Sequence, residues 1–221
     1  MAQLLVLRPE SVASATLARA RELGLDAVAV PLFEIEPVGW EAPQAGGFDG
    51  LLLTSANAVR CAGDQLQDLR GLKAYAVGEA TAAAARDAGF DIASTGEAGI
   101  ERLLGSIEPD LRLLHLCGED RRAPQEARQT ITPLAVYRAK PIEHPRLPAP
   151  AGSVALIHSP RAGRRFAELV TDRSGALVAA ISAAAAEAAG TGWKSVEVAE
   201  RPDDEALLAL AARLCNNPSP K

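Results

Sequence analysis

Two phenols, Tyr75 and Tyr137, are the only tyrosines in this 221-residue chain. Tyr75 sits inside the apolar run Lys73–Val77 and reads as core. Tyr137 lies in the segment VYRAKP, where a phenol can donate a proton or a hydrogen bond without carrying charge. An amphipathic interface residue is the plainer account of a tyrosine in such a place. A second set of candidates occupies short polar turns that directly follow apolar runs. These are Arg8–Pro9, Thr54–Ser55–Ala56–Asn57, Gly78–Glu79–Ala80–Thr81, Gly118–Glu119–Asp120–Arg121–Arg122, Ser159–Pro160–Arg161 and Ser182–Ala183. Hydroxyl groups and bare backbone N–H groups at a helix start favour anions such as carboxylates. Guanidinium groups bind carboxylates through two parallel hydrogen bonds. The same Ser, Thr and Asn residues are ordinary helix N-caps, and at any single turn capping is the simpler account. Glu79, Glu119 and Asp120 would oppose an anion if they pointed into the cleft, so some of them are expected to point away or to pair with arginine. Arg164 and Arg165 read as solvated surface residues.

Other chemistries find little support. Cys61, Cys117 and Cys215, with His115, His144 and His158, are scattered without metal-ligand spacing, so no metal is expected. The odd, dispersed cysteines suit a reducing compartment better than a disulfide framework. No GxGxxG, GxxxxGK[ST] or GxSxG motif is present, which removes the usual dinucleotide, phosphate-loop and nucleophile-elbow signatures. A net charge of −5 speaks against a nucleic-acid binder that works through a dominant positive field. The N-terminal apolar run is too short for a secretory signal, and Leu177–Ala186 is too short to span a bilayer. These features lead to the expectation of a cytoplasmic protein.

The turns must be held by the elements around them. Short apolar runs alternate with Ala-rich helical patterns nearly throughout. Gln3–Leu7, Asp26–Pro31, Phe48–Thr54, Lys73–Val77, Asp91–Ser94, Leu111–Cys117, Ala155–His158, Leu177–Ile181 and Val196–Ala199 read as strands. Val12–Leu23, Asn57–Leu69, Thr81–Ala88 and Gly99–Ile107 read as helices, and each late strand is followed by a helical segment. Continuous apolar strands separated by helices predict parallel sheets covered on both faces. In such sheets ligands bind at the carboxyl ends of the strands, where the polar turns lie. An internal repeat reinforces the pattern. FDGLLLTSANAVR…AYAVGEATAAAARDAGF resembles GSVALIHSPRAGRRF…LVAAISAAAAEAAGTGW, with Ser55 and Gly78 spaced as Ser159 and Ser182 are. Two similar α/β domains follow. Phe33–Val38 and the Pro-rich Val136–Pro150 are the candidate connections between them. Either repeat can host the first two strands.

The ordered set LVLRPE, PLFEIEP, FDGLLLTSANAV, AYAVGEATAAAARDAGF, LLHLCGEDRR, VYRA and LIHSPRAGRRF resembles the uroporphyrinogen-III synthase family from residue 1 to about 212. The resemblance implies two flavodoxin-like parallel-sheet α/β domains joined by a two-stranded linker. Residues 1–34 and 142–221 would form one domain and 38–138 the other, with linkers at about 33–38 and 136–150. It implies a lyase of porphyrin and heme biosynthesis. The reaction closes hydroxymethylbilane, a linear tetrapyrrole with eight carboxylates, to uroporphyrinogen III with loss of water and inversion of ring D. No cofactor is implied. The expected partners are the substrate and, transiently, the preceding pathway enzyme; neither nucleic acid nor membrane is expected, and the chain is expected to be a monomer. Tyr137 matches the family's VY position, where a tyrosine is the favoured proton donor. Ser55, Asn57, Thr81 and Ser159 match turns that hold substrate carboxylates, and Arg8, Gly118, Arg121 and Ser182 complete the expected substrate-binding set. One turn departs from the pattern. Where the second repeat of the family carries G-x-x-T-A, this chain has Ser182 in place of Gly and Ala185 in place of Thr. The stretch between Gly118 and Tyr137 is also short for the helix expected there, and Pro124 and Pro133 interrupt it. A non-catalytic relative that binds a tetrapyrrole or another polyanion is the alternative reading.

Overall fold

The computed structural model describes residues 2–96, 99–121 and 123–216. The chain divides into two compact units: residues 1–34 with 141–221, and residues 35–140.

In the first unit, β1 (Leu4–Val6), β2 (Ala27–Ala29), β9 (Val154–Ile157), β10 (Leu177–Ala180) and β11 (Ser195–Val198) form one sheet, ordered β11-β10-β9-β1-β2. Every pair in it is parallel. The sequences LLV, VALI and LVAA are buried along their whole length, as strands covered on both faces must be. Helices α1 (Glu10–Glu22), α5 (Pro160–Leu169), α6 (Ala183–Ala189) and α7 (Asp204–Asn216) belong to this unit. Leu207, Leu208, Leu210, Ala211 and Leu214 of α7 join Leu4, Val6, Leu156 and Leu177 in one core cluster. Gly163 allows α5 to approach α6 closely: a Cβ there would lie 2.8 Å from the Ala185 carbonyl oxygen. Phe166 stacks on Trp193 with ring centroids 5.0 Å apart.

In the second unit, β4 (Gly50–Leu53), β5 (Lys73–Val77), β6 (Ile92–Gly96), β7 (Arg112–Gly118) and β8 (Thr130–Pro141) form a parallel set, with β3 (Phe33–Pro37) paired to β8 at its edge. Helices α2 (Ala56–Cys61), α3 (Glu79–Asp87) and α4 (Ile100–Ser106) connect them. The order is β3-β8-β7-β4-β5-β6.

The two sheets read alike in space. Each joins a pair of strands, β2-β1 or β8-β7, to a run of three, β9-β10-β11 or β4-β5-β6. The chain enters the first sheet at the pair and the second at the triple. The first order is therefore 2-1-3-4-5, and the second, counted from β4, is 3-2-1-4-5. The registers agree as well. Leu4 pairs with Val154 and with Ala27, and Leu113 pairs with Gly50 and with Ile131. Carried along the chain, this puts His158 in the place of Thr54, Ser159 of Ser55 and Arg8 of Cys117. The two repeat copies lie on β4-α2-β5-α3 and β9-α5-β10-α6.

Three elements differ from the sequence expectation. The single helix over Asn57–Leu69 is instead α2 followed by a 3₁₀ segment, Asp64–Leu69, with Gly63 between them at φ 68°. A positive φ there ends the helix, and glycine adopts it without a Cβ clash. Residues 136–141, read as exposed connection, are the far end of a 12-residue strand. Among the described residues no helix lies between β7 and β8.

Candidate functional site

A cavity of about 310 Å³ opens at the carboxyl ends of β4, β5 and β7 in the second unit, beside Tyr137 of β8. It sits where strand order reverses, between β4 and β7, the position at which doubly wound sheets bind ligands. Its lining includes Thr54, Ser55, His115, Gly118, Asp120, Arg121 and Tyr137, with Val77, Ile100 and Cys117 supplying apolar wall.

Tyr137 projects from β8 and is half-buried. Burial pushes its phenol above the ordinary tyrosine range, a hydrogen bond from the Ser55 side chain works in the opposite direction, and the neighbouring Cys117 and Cys61 add to the rise. The group is therefore a protonated donor at neutral pH. Ser55 is the N-cap of α2, and its Oγ accepts the Asn57 N–H at 3.2 Å. With its lone pair engaged there, the Ser55 hydroxyl can donate to the phenol oxygen, which leaves the tyrosine O–H to face a ligand. Such a chain of donors polarises along its length.

Gly118 seats the tyrosine ring. A Cβ at Gly118 would lie 2.9 Å from both Cε2 and Cζ of Tyr137. The β7–β8 register shifts between Cys117 and Gly118, and the next residue, Glu119, donates its N–H to the Tyr137 carbonyl at 3.0 Å. The missing side chain thus makes room for the ring.

His115 is a participant that the sequence did not reveal. It is 2% exposed and its Nε2 lies 3.1 Å from Thr54 Oγ1. Burial, reinforced by the positive charge of Arg121, lowers its pKa to about 4, so the imidazole is neutral under physiological conditions. A histidine inside an apolar run reads as core, and only its place three residues before the polar turn that starts at Gly118 hinted otherwise. Arg121 lines the cavity, whereas Arg122 lies outside the described residues.

Asn57 and Thr81 are brought to the first turns of α2 and α3 but are buried there, 8% and 5% exposed, and neither lines the cavity. Glu79 pairs with Arg86.

The first unit places its candidates differently. Arg8 Nη1 lies 3.3 Å from Asp204 Oδ1 and donates to Thr16 Oγ1 at 3.2 Å. Asp204 also meets Arg19 at 3.2 Å and His158 Nε2 at 2.9 Å. Burial resists the ionisation of Asp204, but the His158 hydrogen bond, Arg8 and Thr16 outweigh it and hold the carboxyl below its usual range. Burial lowers the Arg8 pKa in turn. Ser159 caps α5 by accepting from Ala162 N–H, and Ser182 caps α6 by accepting from Ala185 N–H. The Arg161 guanidinium lies 4.5 Å from the centroid of the Phe33 ring, a cation–π contact. Arg165, read as a solvated residue, is largely covered and donates to the carbonyls of Ile142 and Glu143 while pairing with Glu168.

Among the described residues no group of three or more His, Cys, Asp or Glu side chains is placed to hold a metal ion, and no helix is long and apolar enough to cross a membrane.

Residues 14–209 match the family model described as uroporphyrinogen-III synthase HemD. The fold is similar to that of the uroporphyrinogen-III synthetase of Helicobacter pylori, with a TM-score of 0.69 at 20% identity over 97% of this chain and 100% of that one. A mutant uroporphyrinogen III synthase of Thermus thermophilus aligns with a TM-score of 0.53 at 21% identity, covering 98% and 100% of the two chains. A search of curated protein sequences finds no match. The family match runs through both units and across every element that lines the Tyr137 cavity, and so this chain belongs to the uroporphyrinogen-III synthase family, the cyclising hydro-lyases that act on hydroxymethylbilane.

Proposed function

We propose that this chain makes uroporphyrinogen III with Tyr137 as the proton donor to the departing hydroxyl. The observation that carries the reading is the donor chain from Asn57 N–H through Ser55 to the Tyr137 phenol, set beside a cavity at a strand-order switch point. The substrate hydroxyl takes the phenol proton and leaves as water, giving an azafulvene. The substituted carbon of ring D attacks that carbon to form a spiro intermediate. Fragmentation and reclosure leave ring D inverted, and the proton shed as the final pyrrole regains aromaticity restores the balance. Unaided closure yields the uninverted isomer I, so the protein's work is largely steering. A phenol kept protonated suits hydrogen-bond assistance to a leaving hydroxyl better than a strong acid would, because a strong acid would be ionised at neutral pH.

The eight substrate carboxylates would meet Arg121 beside the cavity. Asn57, Thr81, Ser159 and Ser182 would contribute through the helix starts that they occupy. Arg8 enters this reading as a residue that stabilises its turn, since Asp204 already neutralises it. The proposal includes two flavodoxin-like domains, one discontinuous, joined by paired linker strands. The order 2-1-3-4-5 of the first sheet supports the flavodoxin-like description directly, and the second sheet supports it in permuted form. A cofactor-free, cytoplasmic monomer that receives its unstable substrate from the preceding enzyme completes the reading.

The test generates hydroxymethylbilane in situ, adds the protein, oxidises the products and separates porphyrin isomers I and III. Protein-dependent isomer III is the expected result. Isomer I alone, from folded protein, would overturn the reading and leave a tetrapyrrole- or polyanion-binding relative.

A further inference from the structure

His115 stands where an apolar residue would serve the sheet as well. Its neighbours Leu113, Leu114 and Leu116 are all buried, and the matching position in the first sheet is Val6, fully buried. Placing an imidazole there costs desolvation that only a hydrogen bond offsets. That bond goes to Thr54, which lines the cavity together with His115. A neutral imidazole carries one N–H and one bare nitrogen. If Nε2 is the bare nitrogen, the Thr54 hydroxyl donates to it and turns its own lone pairs toward the cavity. Ser55 and Tyr137, the other hydroxyl groups there, act as donors in the chain described above. The other acceptor side chain of the lining, Asp120, is an exposed, charged carboxylate, whereas Thr54 offers a neutral acceptor held by the sheet, and a pyrrole N–H is what the substrate offers. At about 310 Å³ the cavity lies at the small end of ligand pockets, a size for one substituted pyrrole and not for four.

We infer that His115 is a positioning residue: it fixes the Thr54 hydroxyl oxygen as the acceptor for the pyrrole N–H of the ring that faces Tyr137. The inference rests on the synthase reading above.

Two measurements test it. Nitrogen-15 NMR of labelled histidine in the full chain, assigned with His115→Phe, reads the imidazole directly. A bare Nε2 with a protonated Nδ1 is expected, and a protonated Nε2 overturns the inference whatever the activity. The isomer assay is then run on Thr54→Val, His115→Phe, His115→Gln and the double variant Thr54→Val/His115→Phe. Loss of one orienting hydrogen bond should lower kcat for isomer III about tenfold, with KM within roughly twofold. The double variant should be no worse than either single one, because both remove the same contact. His115→Gln, with an amide oxygen near the Nε2 position, should recover most of the rate. Independent, additive losses, a change in KM alone, or His115→Gln as poor as His115→Phe would each overturn the role. If His115→Phe does not fold, Thr54→Val and His115→Gln still decide it. Wild-type protein giving isomer I alone removes the synthase reading and this inference together, whereas wild-type isomer III with an unaffected Thr54→Val removes only the inference.

Discussion

At the carboxyl ends of β4 and β7 a phenol, a serine and a neutral histidine surround open space. At the matching ends of β9 and β1 an arginine, a histidine and an aspartate are bound to one another. The frames are the same; the side chains make the difference. Cys117 is replaced by Arg8 and Thr54 by His158. Helix α7 begins with Asp204 where the corresponding α4 begins with Ile100. Asp204 collects Arg8, His158, Arg19 and Thr16, while Ile100 only walls the cavity. A carboxylate at a helix start is favoured by the exposed N–H groups there, and here it also ties the helix to the turns of two strands. One turn geometry therefore serves stability in the first unit and leaves donors for a ligand in the second.

The comparison breaks if chemistry and stability do not separate along this line. Tyr137→Phe should give the largest effect, a loss of isomer III formation of about a hundredfold with an unchanged melting temperature, since general-acid help is of that order. Retained activity in that variant would remove the proton donor from the mechanism. Asp204→Asn should do the reverse. Leaving Arg8 and His158 without their carboxylate should cost about 2 kcal/mol in urea unfolding, less than for a fully buried pair because water screens the arginines. The pH dependence sharpens this. The folded pKa of Asp204 is depressed, so its contribution is present above the unfolded value of about 3.9 and fades as pH falls through the folded value. The stability gap between wild type and Asp204→Asn should accordingly shrink below about pH 4, and a gap of constant size at pH 3 and pH 7 would contradict the assignment.

Gly118→Ala should push the Tyr137 ring from its seat and lower isomer III formation about tenfold, a smaller loss than removing the hydroxyl. A crystal structure of the variant with the ring unmoved would show that Gly118 has another role. Ser182→Ala, last in size, should cost about 1 kcal/mol of stability through the lost α6 cap, with little change in product isomers. A clear shift toward isomer I would instead make Ser182 a ligand contact.

Much of the fold was legible because continuous apolar runs such as Leu51–Leu53 and Val178–Ala180 have one reading when helices separate them. Lys73–Val77 was bounded to the residue. The long strand β8 was obscured by Pro133 and by its polar residues Thr130, Thr132, Arg138 and Lys140, which give its sequence the look of a connection. Gly63 interrupted a pattern whose apolar spacing alone supports a continuous helix. The equivalence of Arg8 and Cys117 lay outside the visible repeat because the chain enters the two sheets at different strands. Of the site, the turns were legible as turns, but capping and ligand binding demand the same residues. Only the placement of Asp204, far along the chain from Arg8, separates an occupied arginine from an available one. His115 was hidden by its apolar neighbours.

The different entry points also set an order of events during synthesis. The second unit is one uninterrupted segment and can complete its sheet as soon as residue 140 has emerged from the ribosome. Strands β1 and β2 precede that unit along the chain, yet the neighbour of β1 on its other side, β9, is Val154–Ile157. At synthesis rates of roughly 5–20 residues per second, the amino-terminal strands wait on the order of ten seconds for their sheet. Strands made before the second unit are thus enclosed after it, and the apolar LLV stretch of β1 lies outside its finished sheet in the interval.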